Sequence, residues 1–131
     1  MKTFLVLIAV TIGLSCFAQK QIKLEEAKDH IGDSVKLEGI IYGARVFEDD
    51  DKKPTLSLIS LGAEYPNQLL TIAVQPSYKT NGAEFPDNRF KGSKAVVTGK
   101  LELYKGKPQI VVRSFDQLHI TSTDAIVVPK Q

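Results

Sequence analysis

The side chains that could support catalysis are few and lie scattered along the sequence. The chain has two histidines and a single cysteine, Cys16, which supply acyl-transfer and thiol chemistry poorly because both need a nucleophile held beside a base. The acidic run Asp49–Asp51 offers the oxygen ligands that Ca²⁺ prefers, but it lacks the spaced ligands and the turn glycine of a dedicated calcium loop. We therefore predict no catalytic residue, no metal site and no cofactor, and we interpret the run as a solvated loop.

The first 18 residues have the organisation of a signal peptide. Lys2 precedes an apolar run from Phe4 to Leu14, and small residues at Cys16 and Ala18 occupy the positions that a signal peptidase reads. The run is shorter than the roughly 20 residues of a membrane-spanning helix. We predict cleavage after Ala18 and a periplasmic or secreted bacterial protein that is not transmembrane. Lipid attachment at Cys16 is the alternative, which Gly13 disfavours because a lipobox has leucine at that position.

The predicted mature chain is one domain long and contains no thiol, so a disulfide framework and a thiolate metal site are excluded. Cleavage removes Lys2 from 17 basic residues and leaves 15 acidic ones, so the net charge is about +1. A domain held mainly by phosphate contacts is more strongly basic. The boundaries that we predict are a signal peptide over 1–18, a linker over 19–23, a domain over 24–120 and a tail over 121–131, and we expect a monomer.

Apolar and polar residues alternate in a way that predicts five strands after one short helix. Leu24, Ala27 and Ile31 lie at helical spacing, and Gly32 ends the helix. The first three strands are predicted over 34–47, 55–61 and 69–75, and residues 76–90 are predicted to form a loop with at most one helical turn. We expect the first strand to bury Val35, Leu37 and Ile41, the second Leu56 and Leu58, and the third Leu70, Ile72 and Val74.

The clearest pattern is the hairpin that supplies the fourth and fifth strands. Two β-rich runs flank a short loop at Gly106, which is a hairpin signal. We expect each run to turn one face inward, with Ala95, Val97, Leu101 and Leu103 in the first run and Ile110 and Val112 in the second.

Three stretches resemble the nucleic-acid-binding OB-fold superfamily, including its anticodon-binding-like members. Residues 91–112, KGSKAVVTGKLELYKGKPQIVV, resemble its last two strands, residues 25–43, EEAKDHIGDSVKLEGIIYG, its first strand, and residues 65–74, YPNQLLTIAV, its third strand. The chain is most similar to small exported bacterial OB modules. The resemblance implies an all-β fold, a five-stranded OB-fold Greek-key barrel with a short N-terminal helix.

Ligands of this superfamily bind across the face of strands two and three, between the loop joining strands one and two and the loop joining strands four and five. These loops correspond here to Glu48–Pro54 and Lys105–Lys107. The resemblance implies that ligand is held by lysines, which attract phosphate, and by rings, which stack on bases. The residues are Tyr42, Phe47, Lys52, Lys53, Tyr65, Tyr104, Lys105 and Lys107.

Other interpretations of these residues remain open. The lysines around Gly106 also fit a solvated hairpin tip, and Tyr42 and Tyr104 also fit cross-strand packing. Glu48 and Asp49–Asp51 share the first loop with two of the lysines and would repel a polyanion.

We expect a non-catalytic, exported binding module for single-stranded nucleic acid or a similar extended oligomeric ligand. The alternative is a module that binds an envelope protein or a glycan in the same cleft, which the near-neutral charge and the acidic loop favour. A purely structural role follows if the rings are buried. A secreted OB-barrel nuclease is the enzymatic option, but no motif orders carboxylates with Arg45, Arg89 and Arg113 as phosphoryl chemistry requires.

Overall fold

The structure, a computed structural model, describes residues 20–81 and 85–121. The predicted signal peptide and nearly all of the predicted tail lie outside these residues. The described chain is dominated by strands, which are β1 (Lys20–Gln21), β2 (Ser34–Glu48), β3 (Pro54–Leu61), β4 (Leu70–Val74), β5 (Lys94–Lys100), β6 (Glu102–Tyr104), β7 (Lys107–Val112) and β8 (Leu118–Thr121). Short 3₁₀ helices connect them, which are η1 (Leu24–Asp29), η2 (Pro76–Asn81), η3 (Asn88–Phe90) and η4 (Phe115–Gln117). No described helix is long and apolar enough to cross a membrane.

The strands pair in the order β6-β7-β4-β3-β2-β5-β8, with β1 beside the first residues of β2. β2 is 15 residues long; its first half pairs with β5 and its second half with β3. β4 and β7 run parallel, whereas the other neighbours in this order are antiparallel. The five predicted strands are therefore present, with β5 and β6 as two halves of the predicted fourth strand. The prediction of an all-β fold with a short N-terminal helix is confirmed.

Hydrogen bonds between strands do not close the sheet into the barrel that we expected. The fourth strand breaks at Leu101, whose backbone N–H donates to Asp33 O and whose carbonyl accepts from Gly32 N. These bonds extend the pairing of β5 to the residues just before β2, so β5 stays on β2, whereas β6 pairs with β7. The seam between β5 and β7 is bridged by a side chain, since Gln117 Nε2 donates to Thr98 O at 3.1 Å and to Val111 O at 3.3 Å.

The core lies inside this curled sheet and contains the predicted inward residues of the first, third and fifth strands. The fully buried side chains include Val35, Leu37 and Ile41 of β2, Leu70, Ile72 and Val74 of β4, and Ile110 and Val112 of β7. η1 covers one end, where Leu24 packs over β2. A Cβ at Gly39 would stand 2.8 Å from Leu24 Cδ2, so the glycine is needed for this contact.

The predicted inward face of the second strand was wrong. Ser57, Ile59 and Leu61 are buried, whereas Leu56 and Leu58 are half-buried on the opposite face. Both faces of β3 carry apolar residues, so alternation alone could not choose between them. Pairing of β3 with β2 and β4 places Ile59 opposite Ile72, and the buried Ser57 hydroxyl is satisfied because it donates to Pro86 O.

Leu103 is a second correction, because its side chain is 58% exposed rather than inward. It shares a face with the buried Ala95, Val97 and Leu101, but it lies in β6 beyond the break in the strand, where the core no longer extends.

Close packing across the seam predicts that Gly99→Ala destabilises the fold. A Cβ at Gly99 would stand 2.7 Å from Ile110 Cγ2 and 3.2 Å from Gln117 Nε2, and Ile110 is fully buried. Overpacking of this kind costs about 1–3 kcal/mol, to be measured as the free energy of unfolding in urea. Gly43→Ala is the matched control, because the nearest atom to its Cβ is Asn88 Oδ1 at 3.6 Å. Equal stability of the two variants would contradict the packing argument.

Candidate functional site

A groove of about 800 Å³ lies over the outer face of β2, β3 and β4. Its walls come from the β3–β4 loop, the β4–β5 connection and the β6–β7 hairpin. The lining residues are Tyr42, Gly43, Ala44, Arg45, Phe47, Leu56, Leu58, Ser60, Glu64, Tyr65, Pro66, Gln68, Thr71, Asn88, Lys91, Tyr104, Lys105, Lys107 and Gln109.

Strand register divides the floor of the groove into a polar and an apolar part. Ser60 pairs with Thr71, and Thr71 pairs with Gln109, so three uncharged polar side chains form one row across the sheet. Leu58 and Leu56 lie two and four residues before Ser60 along β3 and continue the same face. The floor can therefore make both hydrogen bonds and apolar contacts with a ligand.

Four of the eight predicted ligand residues are aromatic, and all four line the groove with solvent-exposed rings. Tyr42 is 41% exposed, Phe47 40%, Tyr65 73% and Tyr104 56%. The pairing of β2 with β3 shifts register between Ile41 and Gly43, which is a bulge that re-aims the intervening Tyr42. Rings exposed in this way are free to stack on a ligand, so the structure gives no support to cross-strand burial.

The predicted lysines separate into two groups. Lys105 and Lys107 line the groove, whereas Lys52 and Lys53 do not. The ammonium of Lys105 lies 5.4 Å from the centroid of the Tyr104 ring, which brings a cation and an exposed ring together in the hairpin. Lys105 has φ 53° and Gly106 φ 81°, so the tight turn between β6 and β7 sets their positions.

Two further cations line the groove, and the sequence analysis did not assign them to it. The Arg45 guanidinium lies 5.4 Å from the centroid of the Phe47 ring, and Lys91 Nζ lies 3.6 Å from the Glu64 carboxylate. Glu64 is the only carboxylate among the described residues that line the groove. Four cations therefore face one anion there, a more basic balance than the chain has as a whole.

The acidic loop between β2 and β3 does not contribute to the lining of the groove. Asp49 organises this loop, since its Oδ1 accepts from the backbone N–H of Asp51 at 2.8 Å and of Lys53 at 2.9 Å. A carboxylate used in this way stabilises a turn. The four acidic residues that argued against a polyanion are therefore not among the residues that line the groove.

The β4–β5 connection supplies a polar contact at the rim. Asp87 caps η3 by accepting from Arg89 N at 2.9 Å, and the Arg89 side chain, which hydrogen-bonds the same carboxylate, lowers the Asp87 pKa. η3 presents Asn88, whose Oδ1 accepts from Ala44 N at 3.1 Å. Of the described residues in 76–90, Asn88 alone lines the groove, and the buried Phe85 packs on the core, so the described part of this connection leaves the groove open.

Several lining residues were missed because their signals were ambiguous in sequence. Leu56 and Leu58 were assigned to the core, and Gln68 lies in a loop without a recognisable motif. Within residues 20–81 and 85–121, no group of three His, Cys, Asp or Glu side chains is arranged to hold a metal ion.

Comparisons with known proteins find similarity in structure but not in sequence. No protein-family model matches the chain, and no curated protein matches it. A crystal structure of a protein assigned as an aspartyl-tRNA synthetase from Leishmania major Friedlin superposes with a TM-score of 0.51 at 9% identity, covering 90% of this chain and 23% of that one. The second OB-fold domain of replication protein A from Methanococcus maripaludis covers 84% of this chain and 98% of its own at 15% identity, with a TM-score of 0.40.

The chain spans less than a quarter of the synthetase, so the likeness concerns only part of that protein. At this level of identity the likeness shows a shared fold. The strand order and the parallel pairing of β4 with β7 are those of an all-β, OB-like fold, the fold that the sequence resemblance predicted.

Proposed function

We propose that this protein is a non-catalytic module that binds single-stranded nucleic acid in the groove. The observation that carries the proposal is the concentration of four exposed rings and four cations against one carboxylate in a single groove. The acidic loop argued against a polyanionic ligand on the sequence alone, but its residues do not line the groove.

The two kinds of side chain match the two parts of an unpaired nucleotide. Any base presents a flat face that stacks on an aromatic ring, and any phosphate is attracted by a lysine or an arginine. In the groove each kind lies beside the other, as with Tyr104 and Lys105 and with Phe47 and Arg45. Bases within a duplex are already stacked, so a site of this composition favours single strands. A protein assigned as an aspartyl-tRNA synthetase shares the fold; this is an analogy of fold alone, so the proposal rests on the groove.

Binding without catalysis is the form of the proposal that the groove favours. Metal-assisted phosphoryl chemistry needs carboxylates placed together to hold the ion, and Glu64 is the only one among the described lining residues. Arg89 hydrogen-bonds Asp87, and of the three arginines considered for a nuclease only Arg45 lines the groove.

Export is part of the proposal and rests on the first 18 residues. We expect the protein recovered from the periplasm or medium to begin at Gln19, as N-terminal sequencing would show. A mature chain that begins with an acylated Cys16 would replace cleavage after Ala18 by lipid attachment.

The lysine groups give a direct test of binding in the groove. Replacing Lys105 and Lys107 by glutamine should weaken binding of a labelled single-stranded 12-mer. It should also reduce the slope of log K against log salt concentration by about 1.4, since each contact with a single strand contributes about 0.7. Fluorescence anisotropy at several salt concentrations measures both. The matched control, Lys52→Gln with Lys53→Gln, should leave affinity and slope unchanged. Equal losses in the two double variants would place the ligand elsewhere.

Substitutions of Tyr104 and of its neighbour Leu103 distinguish a stacking contact with a base from a general effect of exposed apolar surface. Tyr104→Ala should cost about 1–3 kcal/mol of binding free energy, the contribution of one stacked base. Leu103→Ala removes an exposed side chain from the same hairpin, and Leu103 does not line the groove; this variant should bind as the unmodified protein does. The same anisotropy assay measures the affinity of both variants for the 12-mer. Loss of binding in the Leu103 variant would contradict a stacking role for Tyr104.

A protein or glycan ligand from the cell envelope is the alternative use of the groove. The half-buried Leu56 and Leu58 in its floor and the carboxylate of Glu64 suit such a ligand. Failure of single strands to bind at low salt would overturn the nucleic-acid proposal in favour of this alternative.

A further inference from the structure

We propose that Gln68 is a specificity-determining residue that accepts a hydrogen bond from the exocyclic amino group of a bound base. The inference rests on the proposed function and deepens it, because it assigns a chemical preference to one part of the groove.

Gln68 combines burial with an incomplete set of hydrogen bonds. Its side chain lines the groove, and the residue is only 7% exposed. The amide nitrogen donates to Thr71 Oγ1 at 2.9 Å, which ties the amide to the polar row in the floor. Oε1 is buried and has no hydrogen-bond partner among the residues that the structure describes. A buried amide oxygen without a donor is costly and rare in native proteins.

The position of Gln68 in the groove gives a reason for keeping a glutamine with an unpaired oxygen there. Leucine or methionine at residue 68 would fill a similar volume without an unpaired polar atom, so packing does not account for the glutamine oxygen. The rule that buried polar atoms have hydrogen-bond partners is broken most often at functional sites. The partner that Oε1 lacks must be a donor, and the groove beside it is where a ligand is held.

The surroundings of Gln68 suit the edge of a base. Thr71 and Gln109 lie in the polar row, and Tyr65 and Tyr104 line the same groove with exposed rings. A base stacked on a ring presents its edge sideways, where amide and hydroxyl groups can meet it. The last torsion of a glutamine side chain is broad, so its amide can exchange the hydrogen bond to Thr71 Oγ1 for one accepted from the edge of the ligand.

Exocyclic amino groups supply the required donor. Adenine carries one at N6, and glutamine is a common partner of that edge. A site built around a hydrogen bond rejects an analogue that lacks the donor, because the buried acceptor is then left unpaired. The preference therefore concerns the amino group and not the size or shape of the ring.

The test compares two labelled single-stranded 12-mers that differ only in this group, oligodeoxyadenylate and the corresponding oligomer of purine deoxyriboside. The purified protein should bind the adenine 12-mer about three- to tenfold more tightly, the change that one neutral hydrogen bond produces. Gln68→Met should bind both equally and should unfold at a similar temperature, because it removes the unpaired oxygen together with the hydrogen bond to Thr71 Oγ1. Gln75→Met is the matched control, a half-buried amide that does not line the groove, and it should keep the preference.

The possible results are distinct. Equal binding of the two 12-mers by the unmodified protein would overturn this inference and leave nucleic-acid binding intact. Failure of both to bind would overturn the proposed function and this inference together. A Gln68→Met variant that keeps the preference and unfolds at a lower temperature would show that Gln68 has only a structural role.

Discussion

The architecture depends on one strand that has two neighbours in succession. β2 pairs with β5 up to Ile40 and with β3 from Ile41 onward, so a single strand belongs to both sides of the curled sheet. The change of partner falls between Ile40 and Ile41, in the middle of β2. Gly39 lies just before this point, where it admits Leu24. The register shift just after it frees Tyr42 from the ladder and turns it toward the groove. The point at which β2 changes partner thus lies beside a ring of the candidate site.

The sheet is held around its core without a continuous ladder of backbone hydrogen bonds. Gln117 supplies the missing connection, because its amide nitrogen reaches Thr98 O and Val111 O on the two sides of the seam. Its amide oxygen accepts from Arg113 N at 2.8 Å and from Ser114 N at 3.1 Å. One side chain therefore satisfies four backbone groups that strand pairing leaves without partners. Gly99 makes the bridge feasible, since a larger residue would collide with Ile110 and approach the amide.

The groove obtains its chemical character from the loops around this sheet. The β6–β7 turn brings Lys105 and Lys107 to the groove, whereas Asp49 uses its carboxylate to close the β2–β3 turn. Basic and acidic residues that are mixed along the sequence are consequently separated in the folded structure. A chain of nearly balanced charge can in this way offer a basic, aromatic groove to a ligand.

Much of the fold could be predicted from local patterns. Alternation at Val35, Leu37 and Ile41 and the hairpin around Gly106 located the strands and most of the core, because a strand with one buried face records that burial at every second residue. The ring residues of the site could also be named, because they are the aromatic residues nearest to the face and the loops to which the resemblance pointed.

The tertiary structure decided what local patterns leave open. β3 has apolar residues on both faces, so only its neighbours determined that Ile59 enters the core and Leu58 the groove. Lys53 and Lys107 look alike in sequence, and loop geometry placed one of them away from the groove and the other in it. The sequence by itself determined the strands and the hairpin, because alternation and turn residues are local. The outward face of β3, the open seam and the unpaired oxygen of Gln68 arise from contacts between segments far apart in the chain, which no local pattern records.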